Sequence, residues 1–177
     1  MMYLISFLAC SGVKDPHDHD HDHDHEVITR IVLDLTDSTG DTQQVTWSDP
    51  ENEGNPIVDD ILLIDSETYD VQVSFWNDLS DPVEEMTPEV VDEADEHQVF
   101  TMAPSFVDVA IIDTDVNGLD LGLEQEWSTT STGSDTLTLG LRHMPLEDGV
   151  PVKTADLDID NLPGAWDVNI DFSITVE

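Results

Sequence analysis

The sequence predicts an all-β fold: an antiparallel immunoglobulin-like β-sandwich with at most one short helix, preceded by a disordered tether. Three observations carry this. Apolar and polar residues alternate over five separate runs, clusters of Gly, Pro, Asn and Asp fall between them, and 177 residues suit one core. The first run follows Glu26, where Val27, Ile31, Leu33 and Leu35 share a parity against Arg30, Asp34 and Thr36. The stretch DPENEGNP, residues 49–56, is a turn cluster. The second run holds Tyr69, Val71, Val73 and Phe75. A single helical candidate lies between Asp81 and His97, opened by Pro82, with Met86, Val90, Val91 and Ala94 as its apolar stripe. The third run is Val107, Val109 and Ile111, and the fourth is Leu137, Leu139 and Leu141. The last sets Trp166, Val168, Ile170, Phe172, Ile174 and Val176 toward a core, with Asp167, Asn169, Asp171, Ser173 and Thr175 toward water.

Charge narrows the list of partners. Four basic residues face 41 acidic ones, a formal charge of −37, so phosphate backbones are repelled and nucleic acid is excluded. The same carboxylates attract cations, although a solvated acidic surface serves solubility equally well.

Cys10 is the only cysteine, which rules out an intramolecular disulfide and a thiolate metal cluster. Residues 1–9 are apolar apart from Ser6, end in the small Ala9, and are followed after Cys10 by Ser11 and Gly12. This resembles the tail of a bacterial lipoprotein signal peptide, which implies cleavage before Cys10, acylation of its thiol and anchoring in a membrane of the cell envelope. The expected organisation is a signal peptide and lipidated cysteine over 1–10, a tether over 11–26, and a sandwich domain over 27–177.

The tether carries the strongest chemical signal. His17, His19, His21, His23 and His25 alternate with Asp18, Asp20, Asp22, Asp24 and Glu26, and imidazole with carboxylate suits zinc, copper and nickel. On an extended chain alternate residues stand about 7 Å apart. Bonds from metal to nitrogen are only about 2 Å long, so the tract reads as a collector with several exchangeable modes and not as one rigid site. Protonated imidazole cannot ligate, so acid releases the ions. A merely hydrophilic spacer is the competing reading.

Two further groups are candidates. DTDVNGLDLGLE, residues 113–124, fits a calcium-loop pattern, with Asp113, Asp115, Asn117 and Glu124 as oxygen donors and Gly118 at the sharp turn. Its flanks are strand-like, so a loop between strands is expected in place of an EF-hand, and the same residue types also make plain turns. His97 and His143 are the only histidines outside the tract, each at the margin of a predicted strand. If those strand ends meet, the two imidazoles with Glu93 or Glu96 offer nitrogen and oxygen donors of the kind zinc accepts. Hydrogen-bonded structural histidines are the alternative.

No nucleophile elbow, zinc-protease helix motif or glycine-rich phosphate loop is present, so an enzyme is not expected. The order of motifs resembles a group of small lipoproteins found chiefly in Bacteroidetes genomes. The matching pieces are EADEHQ (93–98), DTDVNGLDLGL (113–123) with Trp127, and LRHMP (141–145). The resemblance implies a β domain behind an acidic, histidine-rich stretch and brings no established activity. The expected function is an envelope lipoprotein that collects divalent metal, zinc first, for a transporter or outer-membrane receptor. The competing expectation is a structural or adhesive surface module stabilised by calcium.

Overall fold

A computed structural model describes residues 26–177; the calls on Cys10 and on residues 17–25 of the tract lie outside the described residues. Eleven strands form among them: β1 (Arg30–Asp37), β2 (Thr42–Ser48), β3 (Ile57–Val58), β4 (Ile61–Leu63), β5 (Thr68–Asn77), β6 (Glu84–Glu85), β7 (His97–Met102), β8 (Val107–Ile111), β9 (Glu124–Thr129), β10 (Gly133–His143) and β11 (Ala165–Val176). One sheet runs β3-β2-β1-β5-β9-β8, with β6 beside β5, and the other runs β4-β11-β10-β7. The all-β sandwich is the fold that the alternation predicts. One pairing departs from the antiparallel rule, because β4 joins β11 in parallel.

The alternating runs become the two inner faces. Register aligns Val45, Leu33 and Val73 across β2, β1 and β5, all of them buried. Leu137, Leu139 and Leu141 of β10 and Phe172, Ile174 and Val176 of β11 close the core from the opposite sheet, with Trp127 of β9 fully buried between. Each such side chain contributes about 1.5–3 kcal/mol of burial.

Three local expectations change. The helix is α1 (Thr87–Asp92); Pro88, not Pro82, occupies its first turn, and Pro82 precedes β6. Met86, Val90 and Ala94 form its buried stripe, while Val91 is exposed. At the N-terminal end the parity slips before β1: Val27 is exposed and Ile28 enters the core. The third change lies in β11. Leu141 pairs with Val168 but Arg142 pairs with Trp166, so Asp167 is an extra residue in a β-bulge. Beyond the bulge the faces exchange. Trp166 therefore leaves the core face and lies over the outer one, 5.1 Å from the Arg142 guanidinium and edge-on to Phe100. Gly140 makes room for it, since a Cβ there would meet the indole.

Candidate metal centre

The bulge, the parity slip and one strand pairing bring four donors to one end of the sandwich. His97 opens β7 and His143 closes β10, and the two are register partners across the ladder. Their rings stack with centroids 4.7 Å apart and planes 11° from parallel. The bulge sends the Asp167 side chain inward, where it is fully buried. The slip before β1 sends Glu26 inward too, leaving its side chain 6 % exposed.

One ligand atom from each of Glu26, His97, His143 and Asp167 lies within 4.8 Å of every other. His97 Nε2 stands 3.3 Å from Glu26 Oε1 and 3.8 Å from Asp167 Oδ2. Four donors bound tetrahedrally at 2.0–2.1 Å stand about 3.3 Å apart, so a contraction of up to about 1.5 Å in the widest pairs closes a shell around one ion. Two imidazoles and two carboxylates form a donor set that zinc accepts. This buried cluster could hold a metal ion.

The surroundings prepare His97 for that role. Its Nδ1 lies 3.1 Å from the Glu93 carbonyl, and donation to that oxygen leaves Nε2 facing the cluster with its lone pair. Neither His97 Nε2 nor Glu26 Oε2, both buried, has a hydrogen-bond partner among the described residues. Orphaned buried polar atoms of this kind carry a desolvation cost that an ion offsets.

Charge is distributed unevenly over the cluster. Burial opposes ionisation of Glu26, but contact with His97 and its charge win, and the Glu26 carboxyl lies below its ordinary value. Burial likewise disfavours the His97 imidazolium, yet Glu26, the Glu93 carbonyl and Asp167 together raise its pKa. Burial and the charge on His97 push His143 down. Of the two imidazoles, the surroundings favour a proton on His97 and disfavour one on His143.

Glu96 and Glu93 contribute differently from the sequence expectation. The Glu96 carboxylate accepts from Leu146 N at 2.9 Å and stays 4.0 Å from His143 Nε2, outside the four-atom cluster. Glu93 supplies its backbone carbonyl. The carboxylates that complete the cluster are Glu26, read as part of the tract, and Asp167, read as water-facing. Its missed signal is the odd residue in the β10 and β11 pairing.

The Asp113 loop is a hydrogen-bonded turn between β8 and β9. Asp113 accepts from Gly122 N and Leu123 N at 2.8 and 3.0 Å, and Asp115 Oδ1 accepts from Asn117 N and Leu119 N at 2.8 and 2.9 Å. Asp115 Oδ2 faces the Lys153 ammonium at 3.1 Å. All four carboxylate oxygens thus face donors already. Asn117 enters this arrangement through its backbone N–H, and Glu124 is exposed on β9, paired through Gln72 of β5. Lys153 also donates to the carbonyls of Ala94 and His97, each at 2.9 Å, which ties the loop to the backbone of a cluster residue. Sequence reading missed Lys153 because its segment has no periodicity. No family model, no curated protein and no solved structure matches the chain.

Proposed function

We propose that the protein is a metal-binding lipoprotein of the cell envelope whose sandwich domain holds one zinc ion through Glu26, His97, His143 and Asp167. The observation that carries the reading is the convergence of four ligand atoms within 4.8 Å, on side chains that are 0–6 % exposed. Four protein ligands in a closed pocket match sites that hold an ion, whereas catalytic zinc keeps a position open for water or substrate. That supports a binding protein over an enzyme. The absence of any sulfur donor among the four favours zinc over cuprous copper.

The histidine and aspartate tract fits the same function as an ion collector, with a transporter or outer-membrane receptor as recipient. Attachment would run through acylated Cys10; among the described residues no helix is long and apolar enough to cross a membrane. The alternative of a structural or adhesive module stiffened by calcium draws less support, because the oxygens of Asp113 and Asp115 are engaged by backbone amides and Lys153.

Calorimetric titration of zinc separates tract from centre. A chain with glutamine at the five tract histidines is expected to keep one tight zinc, and adding His97→Ala or His143→Ala to it removes that zinc. Loss of all tight binding in the first variant would show that the tract is the only site. Deleting residues 17–26 outright cannot make this distinction, since it also removes Glu26.

A further inference from the structure

We propose that Arg142 is the positioning residue of the centre: it holds the one-residue bulge in β11 through which Asp167 turns inward. The inference rests on the zinc-centre reading and adds the side chain that keeps one of its ligands in place.

Two registers are open to the start of β11. Leu141 pairs with Val168, and an unbroken antiparallel ladder would continue with Arg142 opposite Asp167 and His143 opposite Trp166. Strict alternation would then set Asp167 on the outer face with Asn169 and Asp171, and Trp166 on the inner one. The ladder instead pairs Arg142 with Trp166 and His143 with Ala165, and the Asp167 left over has a side chain that is 0 % exposed. The bulge thus encloses a carboxylate and takes a large apolar side chain off the core face, both of which cost free energy. Contacts made only in the bulged register have to offset that cost.

Arg142 supplies them. Its Nε donates to the Pro163 carbonyl at 2.8 Å, and its Nη2 donates to the carbonyls of Leu162 and Gly164 at 2.8 and 2.6 Å. Those three residues end the connection that enters β11 at Ala165. The planar guanidinium thus fixes three successive carbonyls with three of its five N–H donors, a fork that the point charge of lysine does not reproduce. Bonds from a charged donor are also stronger than neutral ones. The same guanidinium lies 5.1 Å from the centre of the Trp166 ring, which the bulge has brought to the outer face. In the unbroken register every residue ahead of Asp167 moves one place along β10 and changes face, so the carbonyls leave the fork and the indole leaves the guanidinium. Arg142 therefore stabilises the register that points Asp167 inward, and its effect on the metal runs through that carboxylate.

The test is a double-mutant cycle on zinc affinity, read by competition with a chromophoric chelator at a temperature where every variant is folded. The parent is the full chain with glutamine at the five tract histidines, so that only the centre is titrated. Asp167→Asn and Arg142→Gln are each expected to weaken zinc binding about tenfold or more. Together they are expected to bind within about twofold of Asp167→Asn alone, because the register of β11 ceases to matter once the carboxylate is gone. Added to Glu26→Gln, in contrast, Arg142→Gln is expected to weaken binding further by its full factor. A general loosening of the fold would weaken both backgrounds alike. Should Arg142→Gln not fold, Arg142→Lys, which keeps the charge and loses the fork, goes through the same cycle with the same expectations. An arginine variant that binds zinc as the parent does, or that weakens Asp167→Asn by its full factor, would overturn the positioning role and leave the centre standing. Asp167→Asn that binds as tightly as the parent would overturn the four-ligand centre, and the role of Arg142 with it.

Discussion

Replacing Lys153 with methionine keeps the length of the side chain and removes a charge that the fold has enclosed completely. The ammonium donates to the Ala94 and His97 carbonyls at 2.9 Å each and stands 3.1 Å from Asp115 Oδ2, with both side chains 0 % exposed. Removing one member of a buried ion pair costs about 3–5 kcal/mol, largely because the other charge is left without compensation. Asp115 retains the amides of Asn117 and Leu119, which places Lys153→Met at the lower end, about 3 kcal/mol. For a chain of this size that lowers Tm by about 6–12 °C. Thermal unfolding by circular dichroism in the presence of chelator reads the change without a zinc contribution. Adding Asp115→Asn to Lys153→Met removes the stranded charge, so the double variant is expected to lose less than the sum of the single losses, by about 1 kcal/mol or more. A single variant within about 0.5 kcal/mol of the parent, or strictly additive losses, would refute the reasoning.

Gly164→Ala should distort the centre from outside it, because Gly164 has φ +73° and a Cβ there would collide with the His143 carbonyl. Zinc affinity is expected to fall at least tenfold, whereas Gly149→Ala, also at positive φ but facing open space, leaves zinc binding unchanged in the same titration. The zinc-free domain should be most stable between the titrations of Glu26, lowered from 4.5, and His97, raised from 6.5. Stability is lost as pH falls through the former and as pH rises through the latter, while zinc affinity grows along the upper limb as His97 gives up its proton. Melting curves with and without zinc from about pH 4 to 9 check both signs, and a zinc-free Tm that climbs through the upper limb would contradict them. Cys10→Ser should move the protein from the membrane fraction to the soluble one without altering Tm; native protein bearing an unmodified Met1 would contradict the anchor.

Much of the fold was legible because two-residue alternation needs only local sequence. Tyr69, Val71, Val73 and Phe75 are all buried as their spacing predicts, and so are Leu137, Leu139 and Leu141. His143 shares the parity of those leucines and lies buried at the end of the same face, beside His97. The carboxylates of the centre escaped for a related reason: each sits where the alternation breaks. The extra residue at Asp167 exchanges the faces of β11, and the slip at Val27 and Ile28 turns Glu26 inward. A bulge is fixed by the partner strand and not by the bulged strand alone, so no pattern within residues 165–176 announces it. Lys153 was hidden because its three acceptors, Ala94, His97 and Asp115, come from two distant segments.

Zinc K-edge X-ray absorption on the one-equivalent zinc complex of the chain with glutamine at His17, His19, His21, His23 and His25 tests the centre most directly. The four-donor arrangement predicts a single shell of four nitrogen and oxygen atoms at about 2.0–2.1 Å with outer-shell scattering from two imidazoles, reduced to one imidazole in His143→Ala. A six-coordinate oxygen shell without imidazole scattering, or a spectrum unchanged by His143→Ala, would contradict the assignment of Glu26, His97, His143 and Asp167 as the metal centre.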